Sequence, residues 1–383
     1  MAGKAHLKIF FLFKLIALRY FKRSRSSSGK KTLVLLKLDA IGDYLIFRNF
    51  IASFKKSDRF KDHTITLIGN SIWRDLAIYL DGNIVDNFIW VNVSDRNNYE
   101  KRNRILEMVA ALEPKDVLIN CQYSRNYLSD LISFVVKART KIAFKGDTYN
   151  NRYINLANYW YHSLIELKSY QVHEFFKNRD FASQVIGSEI DLSLPHIRLS
   201  DAQKELPEYV NYAVIAPGAG HIKRQAGKDQ WIYVSAELVN RGYTLCFAGT
   251  AQETALAQEI ISGLPHGASA IDLTGKTAFP ELISLVNNSE LVMCNDSSIY
   301  HMAVGLNKPV ICFAGGGHFN RFVNYPPSDT IILLSTNLTC FNCNWNCIYK
   351  DHSNDPYYCI SHIGRQQISD ALNSMEKKLQ HSR

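Results

Sequence analysis

With 383 residues and 46% hydrophobic content, the chain is longer than a single hydrophobic core usually organises, and it is too apolar for an extended disordered polypeptide. Its 44 Lys and Arg against 35 Asp and Glu give a formal charge of +9, which favours anionic partners. Much of that excess sits before residue 32, in Lys4, Lys8, Lys14, Arg19, Lys22, Arg23, Arg25, Lys30 and Lys31, with no acidic residue before Asp39. The charge therefore reads as an address, and nucleic acid is excluded as a partner because neither an RNP-type aromatic motif nor a zinc-finger spacing with paired histidines is present.

Leu7 to Phe21 is strongly apolar but is interrupted by Lys8, Lys14 and Arg19, and it is shorter than the roughly 20 residues a spanning helix needs. Residues 1–30 are expected to form a leader lying on an acidic membrane surface, followed by a short Ser-rich linker. A signal peptide competes with this reading, but no small-residue cleavage site precedes the polar run Arg23 to Lys31.

From Thr32 apolar strand-like runs alternate with amphipathic segments. TLVLLKL leads to a helix over Tyr44 to Lys56, TITLIG to one over Ile72 to Leu80, NFIWVNV to one over Glu100 to Leu112, and DVLINC to one over Asn126 to Lys137, with KIAF closing the series. The rhythm restarts at Asn211 with YAVIAPG, helices near Trp231 to Asn240, Gln252 to Ile261 and Pro280 to Asn287, and strands at YTLCFAG and Leu291 to Cys294. This pattern predicts two α/β domains with parallel, doubly wound sheets, over 31–187 and 211–383, joined by a linker over 188–210. Tyr149 to Leu199 looks less regular.

Three polar turns follow strands. In DAIGD, Gly42 permits a tight path, and Asp43 is either a helix cap or a carboxylate able to take a proton from a substrate hydroxyl. In APGAGHIKR, Gly218, Ala219 and Gly220 allow close backbone approach, while Lys223 and Arg224 supply positive charge suited to a diphosphate; a basic surface loop is the plainer alternative. In NDSSIYH, Asp296, Ser297 and Ser298 can cap a helix and leave its first N–H groups facing a ligand, with His301 in its first turns as either a ligand contact or a satisfied core histidine. The spacing fits neither the P-loop nor the dinucleotide fingerprint, which argues against an ATPase or dehydrogenase.

Taken in order, KLDAIGD, APGAGHIKR, RGYTLCFAGT with Glu253, DLTGKTAFPELISLV with Thr277, and NDSSIYHMAVGLNKPVICFAG resemble glycosyltransferase family 9, the lipopolysaccharide heptosyltransferases. The resemblance implies a GT-B fold of two Rossmann-like domains facing a cleft, with the sugar nucleotide on the C-terminal domain and the acceptor approaching from the N-terminal one. It implies Asp43 as the base and Lys223, with Arg224 adjacent, on the diphosphate. It places Asp296, Ser297, Ser298 and His301 in the donor segment and Glu253 on ribose hydroxyls. The implied reaction is an inverting displacement that requires no metal, with ADP-heptose as donor and a lipopolysaccharide-core or other lipid-linked envelope glycan as acceptor, at the cytoplasmic face of the inner membrane. The sequence departs from the family in three places. Ser298 stands where Gly is usual, Ala314 to Asn320 replaces a Gly-Pro-Thr turn, and Gln225 and Ala226 replace Trp-Pro. A different-donor transferase, a sugar-nucleotide epimerase and a non-enzymatic metal- or nucleotide-binding scaffold are the alternatives.

Cysteine usage splits in two. Cys121, Cys246, Cys294 and Cys312 sit singly in apolar runs and read as core. Cys340, Cys343, Cys347 and Cys359 form a C-x2-C-x3-C-x11-C cluster, which reads as a structural loop first and as a metal site second.

Overall fold

The computed structural model describes Ile16 and residues 29–147, 152–167, 172–199, 209–349 and 355–381. The chain divides into two compact units, Met1–Tyr170 with Phe176–Asp191, and Gln171–Phe175 with Leu192–Arg383.

The first unit is built on strands β1 (Thr32–Lys37), β2 (Thr64–Asn70), β3 (Asn87–Val91), β4 (Lys115–Asn120), β5 (Ala138–Phe144) and β6 (Ser163–Ile165). They lie in the order β3-β2-β1-β4-β5-β6, and every neighbouring pair is parallel. Parallel neighbours need helical crossovers, so both faces of the sheet are covered; this is why Leu33 to Leu36 can be apolar without alternation and fully buried. Val34 pairs with Thr66 on one side and Leu118 on the other, which puts β1 at the centre of the sheet. The strand order reverses between β1 and β4, so the segments leaving their carboxyl ends diverge there.

The crossovers are α1 (Ile41–Phe47), α2 (Asn49–Lys56), α3 (Arg74–Asp81), α4 (Tyr99–Ala110) and α5 (Tyr127–Val135), with α6 (Arg152–Asn158) and α7 (Glu174–Ile186) after β5. Local chemistry explains their starts. Asn98 caps α4 through the Lys101 N–H, and Asn126 and Ser129 form a reciprocal capping box at α5. The helix expected over Tyr44 to Lys56 is two helices meeting at Arg48, whose guanidinium turns inward. It donates from Nη2 to Asp81 Oδ1 at 2.7 Å and from Nε to Oδ2 at 3.1 Å, and the Tyr44 hydroxyl also bonds Asp81. The stretch after Tyr149, expected to be irregular, contains the 13-residue helix α7.

The second unit repeats the plan with β7 (Tyr212–Ala216), β8 (Thr244–Phe247), β9 (Ala270–Asp272), β10 (Leu291–Asn295), β11 (Val310–Phe313) and β12 (Ile331–Leu334), in the order β12-β11-β10-β7-β8-β9 and again all parallel. Its helices are α8 (Lys228–Asn240), α9 (Thr254–Ser262), α10 (Phe279–Asn288), α11 (Ser298–Gly305), α12 (Tyr358–Ser361) and α13 (Arg365–His381). Trp231, Val234 and Leu238 of α8 pack with Ile368, Leu372 and Met375 of α13 in one buried core cluster. The strand order reverses between β7 and β10. Two Rossmann-like, doubly wound domains are thus present, as expected.

Cys121, Cys246, Cys294 and Cys312 are buried, as their apolar surroundings imply. The basic apolar leader lies outside the described residues apart from Ile16, Gly29 and Lys30. Among the described residues no helix is long and apolar enough to cross a membrane.

The Arg48–Asp81 pair is almost fully buried, so removing one partner strands the other charge without water. Asp81→Ala is expected to lower unfolding free energy by about 3–5 kcal/mol. The Arg48→Met/Asp81→Leu double variant should recover most of that loss, and urea denaturation of the three proteins measures both.

Candidate functional site

The second unit carries a cluster of polar turns at the carboxyl ends of β7, β8, β9 and β10. Its anchor is Asn295, the last residue of β10 and fully buried. Its side-chain amide donates to the Pro217 carbonyl at 2.6 Å and the Gly218 carbonyl at 3.3 Å, while its Oδ1 accepts from the Ala226 N–H at 2.9 Å. One side chain therefore ties both ends of the β7–α8 loop to the point where the strand order reverses. A buried amide with its partners satisfied fixes geometry as well as adding stability.

That loop places the two predicted cations against a pair of stacked rings, Trp345 and Tyr357. Arg224 lies with its guanidinium carbon 4.2 Å from the centre of the Trp345 ring. It also interacts electrostatically with Asp296: burial lowers the Arg224 pKa, and the Asp296 and Tyr357 charges oppose that shift. Lys223 points toward Tyr357, with Nζ 6.0 Å from that ring, and its carbonyl accepts the Tyr357 N–H at 2.9 Å. The sequence weighed Lys223 first for the diphosphate; the geometry puts Arg224 beside Asp296 instead.

Asp296 follows β10, and its carboxyl pKa is pushed up to about 6, by burial first and with Arg224 acting the other way. Ser297 occupies the N-cap position of α11 but makes no side-chain cap bond, and Ser298 is the first helical residue. The capping expected of the Asp-Ser-Ser segment is therefore not made by Ser297, and the start of α11 keeps its backbone donors. His301 is buried, with Nδ1 3.1 Å from the Tyr325 hydroxyl. Burial, together with neighbouring His173, lowers its pKa to about 3, so the imidazole is neutral at ordinary pH. It belongs to the packing beneath the helix start.

Glu253 sits across the same loop. Its Oε2 accepts from the Thr250 N–H at 2.6 Å and from the Thr250 hydroxyl at 2.5 Å, a capping box before α9. Its Oε1 lies over Gly218, where an added Cβ would come within 2.9 Å of that oxygen and 2.6 Å of the Glu253 Cγ. Gly218 is therefore needed for the loop to pass the carboxylate. Gly220 is exposed and an added Cβ there meets open space, so its side is available for a ligand; Ala219 stands partly buried between the two glycines. Thr277 lies in the turn after β9, which is joined to the turn after β8 by the Gly275 N–H to Gly249 carbonyl bond at 2.9 Å. The structure thus gathers Gly218, Ala219, Gly220, Arg224, Glu253, Thr277, Asp296, Ser297 and Ser298 at one end of one sheet.

Gly42 and Asp43 belong to the first unit. Gly42 is already helical in α1, so it does not form the tight turn; that bend falls on Asp39 and Ala40. The N-cap is Ala40, and Asp43 occupies the third position of α1, partly buried. Below the turn, the buried Lys37 ammonium pairs with Asp39 at 2.8 Å and donates to the Cys121 carbonyl at 3.3 Å. Gln122 donates to the other Asp39 oxygen at 2.7 Å, and the Trp73 indole N–H donates to the Asp39 carbonyl at 3.0 Å. A lysine inside an otherwise apolar strand was the one signal for this bracing.

The Cys-rich segment braces Arg224. Asn342, Asn344 and Trp345 all have left-handed backbone angles, with φ of 65°, 50° and 62°. A bulky ring at such an angle is strained and persists only where its surroundings hold it. The Asn342 N–H donates to the Gly316 carbonyl at 2.7 Å and the Asn344 N–H to the Gly317 carbonyl at 2.9 Å. A Cβ on Gly317 would lie 2.2 Å from the indole, so the Gly315-Gly316-Gly317 run is what lets Trp345 lie flat there. Burial and the nearby Cys343 and Cys347 raise the Cys340 thiol pKa, and burial raises that of Cys359, whose sulfur accepts the Gly316 N–H at 3.3 Å. Among the described residues no three His, Cys, Asp or Glu side chains are placed to hold a metal ion.

The family model for glycosyltransferase family 9 (heptosyltransferase) matches residues 106–349, more than half of the chain. The chain belongs to glycosyltransferase family 9. Lipooligosaccharide heptosyltransferase 2 of Haemophilus influenzae is 32% identical over 80 residues, a stretch covering 20% of this chain and 23% of that relative, so the match spans under a quarter of the curated protein. The solved Escherichia coli ADP-heptose lps heptosyltransferase II shares the fold at 15% identity and a TM-score of 0.67, over 92% of this chain and 100% of that one. A family 9 glycosyltransferase of Veillonella parvula matches with a TM-score of 0.69 at 15% identity, over 94% and 100% of the two chains.

Because the folded-state pKa of Asp296 lies above the ordinary carboxylate value, the fold binds its proton between about pH 4 and 6, and ionisation toward neutrality costs stability. Asp296 keeps some solvent contact, which reduces the effect. Asp296→Asn should gain on the parent by about 1–2 kcal/mol as pH rises from 4 to 7, measured as the pH dependence of the difference in unfolding free energy.

Proposed function

We propose that this chain is an inverting glycosyltransferase that moves a heptose from ADP-heptose onto a lipopolysaccharide-core or other lipid-linked envelope glycan. The observation that carries the reading is the arrangement at the β7–β10 reversal, where Arg224, the start of α11 and open backbone at Gly220 lie at the same end of one sheet. Ligands of doubly wound sheets bind at that place, and the groups present suit a nucleoside diphosphate sugar. The E. coli relative is described as acting with ADP-heptose, which supports the same donor here.

In the proposed reaction an acceptor hydroxyl oxygen attacks the anomeric carbon, and the bond from that carbon to the diphosphate oxygen breaks. The electron pair leaves with ADP. The hydroxyl proton passes to the Asp43 carboxylate, as general base. Arg224 and the backbone donors opening α11 stabilise the charge that grows on the departing diphosphate, and Lys223 adds to the local positive potential. Glu253 Oε1 beside Gly218 accepts from ribose hydroxyls, with Thr277 at the nucleoside end. We further propose that the basic leader holds the enzyme on the cytoplasmic face of the inner membrane, where a lipid-linked acceptor is met.

Asp43→Asn removes the proposed proton acceptor while keeping the size of the side chain. It should lower kcat by a factor on the order of 100 or more while ADP affinity stays within twofold, read by transfer assay with ADP-heptose and by calorimetric titration with ADP. Arg224→Met should show the complementary pattern, with ADP binding weakened roughly tenfold or more. Unchanged turnover in Asp43→Asn would remove Asp43 from the mechanism.

A further inference from the structure

The first unit carries an exposed apolar surface that the transfer chemistry does not use. One side of α6 and of the turn after it is pinned inward. Ala157 is fully buried, the Arg125 guanidinium donates to the Asn158 side chain, and the Tyr161 hydroxyl donates to Asp130 Oδ1 at 2.6 Å and accepts from Asn120 Nδ2 at 2.9 Å. With those residues facing in, Leu156 and Tyr159 face out, and they are 64% and 87% exposed. Trp160 is half-buried beside them, its ring centre 4.8 Å from that of Phe134 on α5. Two turns before Phe134, on the same face of α5, Tyr127 is 40% exposed, with the Arg102 guanidinium carbon 5.6 Å from its ring centre. We propose that this surface of α5 and α6 is a second membrane-docking element, lying on an anionic lipid bilayer with Leu156 and Tyr159 inserted. It deepens the membrane placement proposed above for the leader, and rests on it.

The composition fits a bilayer surface. Tyrosine and tryptophan rings settle at headgroup depth, where an apolar body meets a polar edge, and leucine reaches the acyl chains. Charge fits as well. From Leu131 to Lys145 and from Arg152 to Ile165 the chain has no acidic residue, and the one carboxylate of α5, Asp130, is buried against Arg125 at 3.6 Å. Arg139 is exposed, and Lys137 follows the end of α5. Arg139 lies two residues before Lys141 on β5 and so shares its sheet face; the Lys141 ammonium donates to the Phe134 carbonyl at 3.0 Å, which puts Arg139 on the face that α5 covers. Each Lys or Arg near acidic headgroups adds attraction.

Two other occupants fit less well. The leader is itself basic, with no acidic residue before Asp39, so a surface carrying Arg102, Lys137 and Arg139 repels it. A second copy of the chain needs about 800 Å² from each partner, whereas an aromatic side chain supplies roughly 150–250 Å² when wholly covered. Leu156, Tyr159, Tyr127 and a half-buried Trp160 fall short of that area. A bilayer asks for less, because a contact of lipid-anchor size already gives marginal, reversible attachment and two such signals make it stable. The leader and this surface are two.

The test uses the full chain, sedimented with vesicles of phosphatidylethanolamine and phosphatidylglycerol. Leu156→Ser/Tyr159→Ser should lower the partition coefficient roughly tenfold or more, while Tyr159→Trp, which keeps an interfacial ring, should retain binding. Arg139→Glu should weaken binding severalfold on these vesicles and leave binding to phosphatidylcholine unchanged. The Leu156/Tyr159 pair is also changed in a second background, Phe10→Ser/Phe13→Ser, which blunts the leader. Loss of binding on changing the pair in either background supports the surface. Unchanged partition in both backgrounds, or a parent that does not bind, overturns it. Where the leader variant alone binds like the parent, the leader reading falls, and loss on changing the pair still supports the surface. A dimer of the parent that the pair variant dissolves, seen by sedimentation velocity, makes a second copy the occupant and overturns the proposal.

Discussion

The second unit depends on the Asn295 amide. A β-strand delivers side chains to alternate faces, so the last residue of β10 can turn its amide sideways into the backbone of the loop that leaves β7. Its bonds reach Pro217, Gly218 and Ala226, which lie at the two ends of that loop. A loop clamped at both ends has few ways to arrange what lies between, and what lies between is Gly218 to Arg224. Aspartate at 295 would keep the acceptor for Ala226 but would set a carboxylate against two carbonyls, so an amide is the side chain that fits all three partners.

The same logic explains why one part of the site was legible in sequence and another was not. DAIGD, APGAGHIKR and NDSSIYH stood out because polar, glycine-bearing turns directly follow apolar runs, and in parallel sheets such turns gather at one edge. Strand type and order of elements were legible for the same reason. The short edge strands β6, β9 and β12 were not, since three or four residues carry little periodic signal and edges are only partly buried. Asn295, Lys37 and Trp345 were missed because their roles are tertiary. Each acts on backbone or side chains far away in sequence, and nothing in the neighbouring residues marks the partner.

The departures from the family pattern acquire a physical reading. The stretch Ala314 to Asn320, set against a Gly-Pro-Thr turn by the family resemblance, contains Gly315, Gly316 and Gly317, and each of the three glycines lies under a ring of the Cys-rich segment, Trp345 over Gly315 and Gly317, Phe341 over Gly316. Gln225 and Ala226 stand where Trp-Pro is usual, and Ala226 offers the N–H that Asn295 Oδ1 accepts, which a proline could not supply. The missing tryptophan after the basic residue has a counterpart in space, since the indole of Trp345 now covers the Arg224 guanidinium. These two departures are consistent with one another, since the glycine run admits the ring that covers Arg224 and Ala226 keeps the loop bonded to Asn295.

How Arg224 is held bears on what it can do. A guanidinium locked in a bidentate pair with a carboxylate is oriented but largely neutralised, and a phosphate must then compete for its N–H groups. A ring face orients the same plane while leaving the charge and the edge donors in place. With Trp345 against the plane and Asp296 acting through charge, Arg224 is oriented without being consumed. His301 is neutral through burial first and His173 second, so it adds no second cation in α11. Arg224 is thus a group that keeps its charge at any physiological pH, with an indole against it. The strained left-handed angle at Trp345 has its explanation here: it is the backbone conformation that carries the ring from the Cys-rich segment to the face of the arginine.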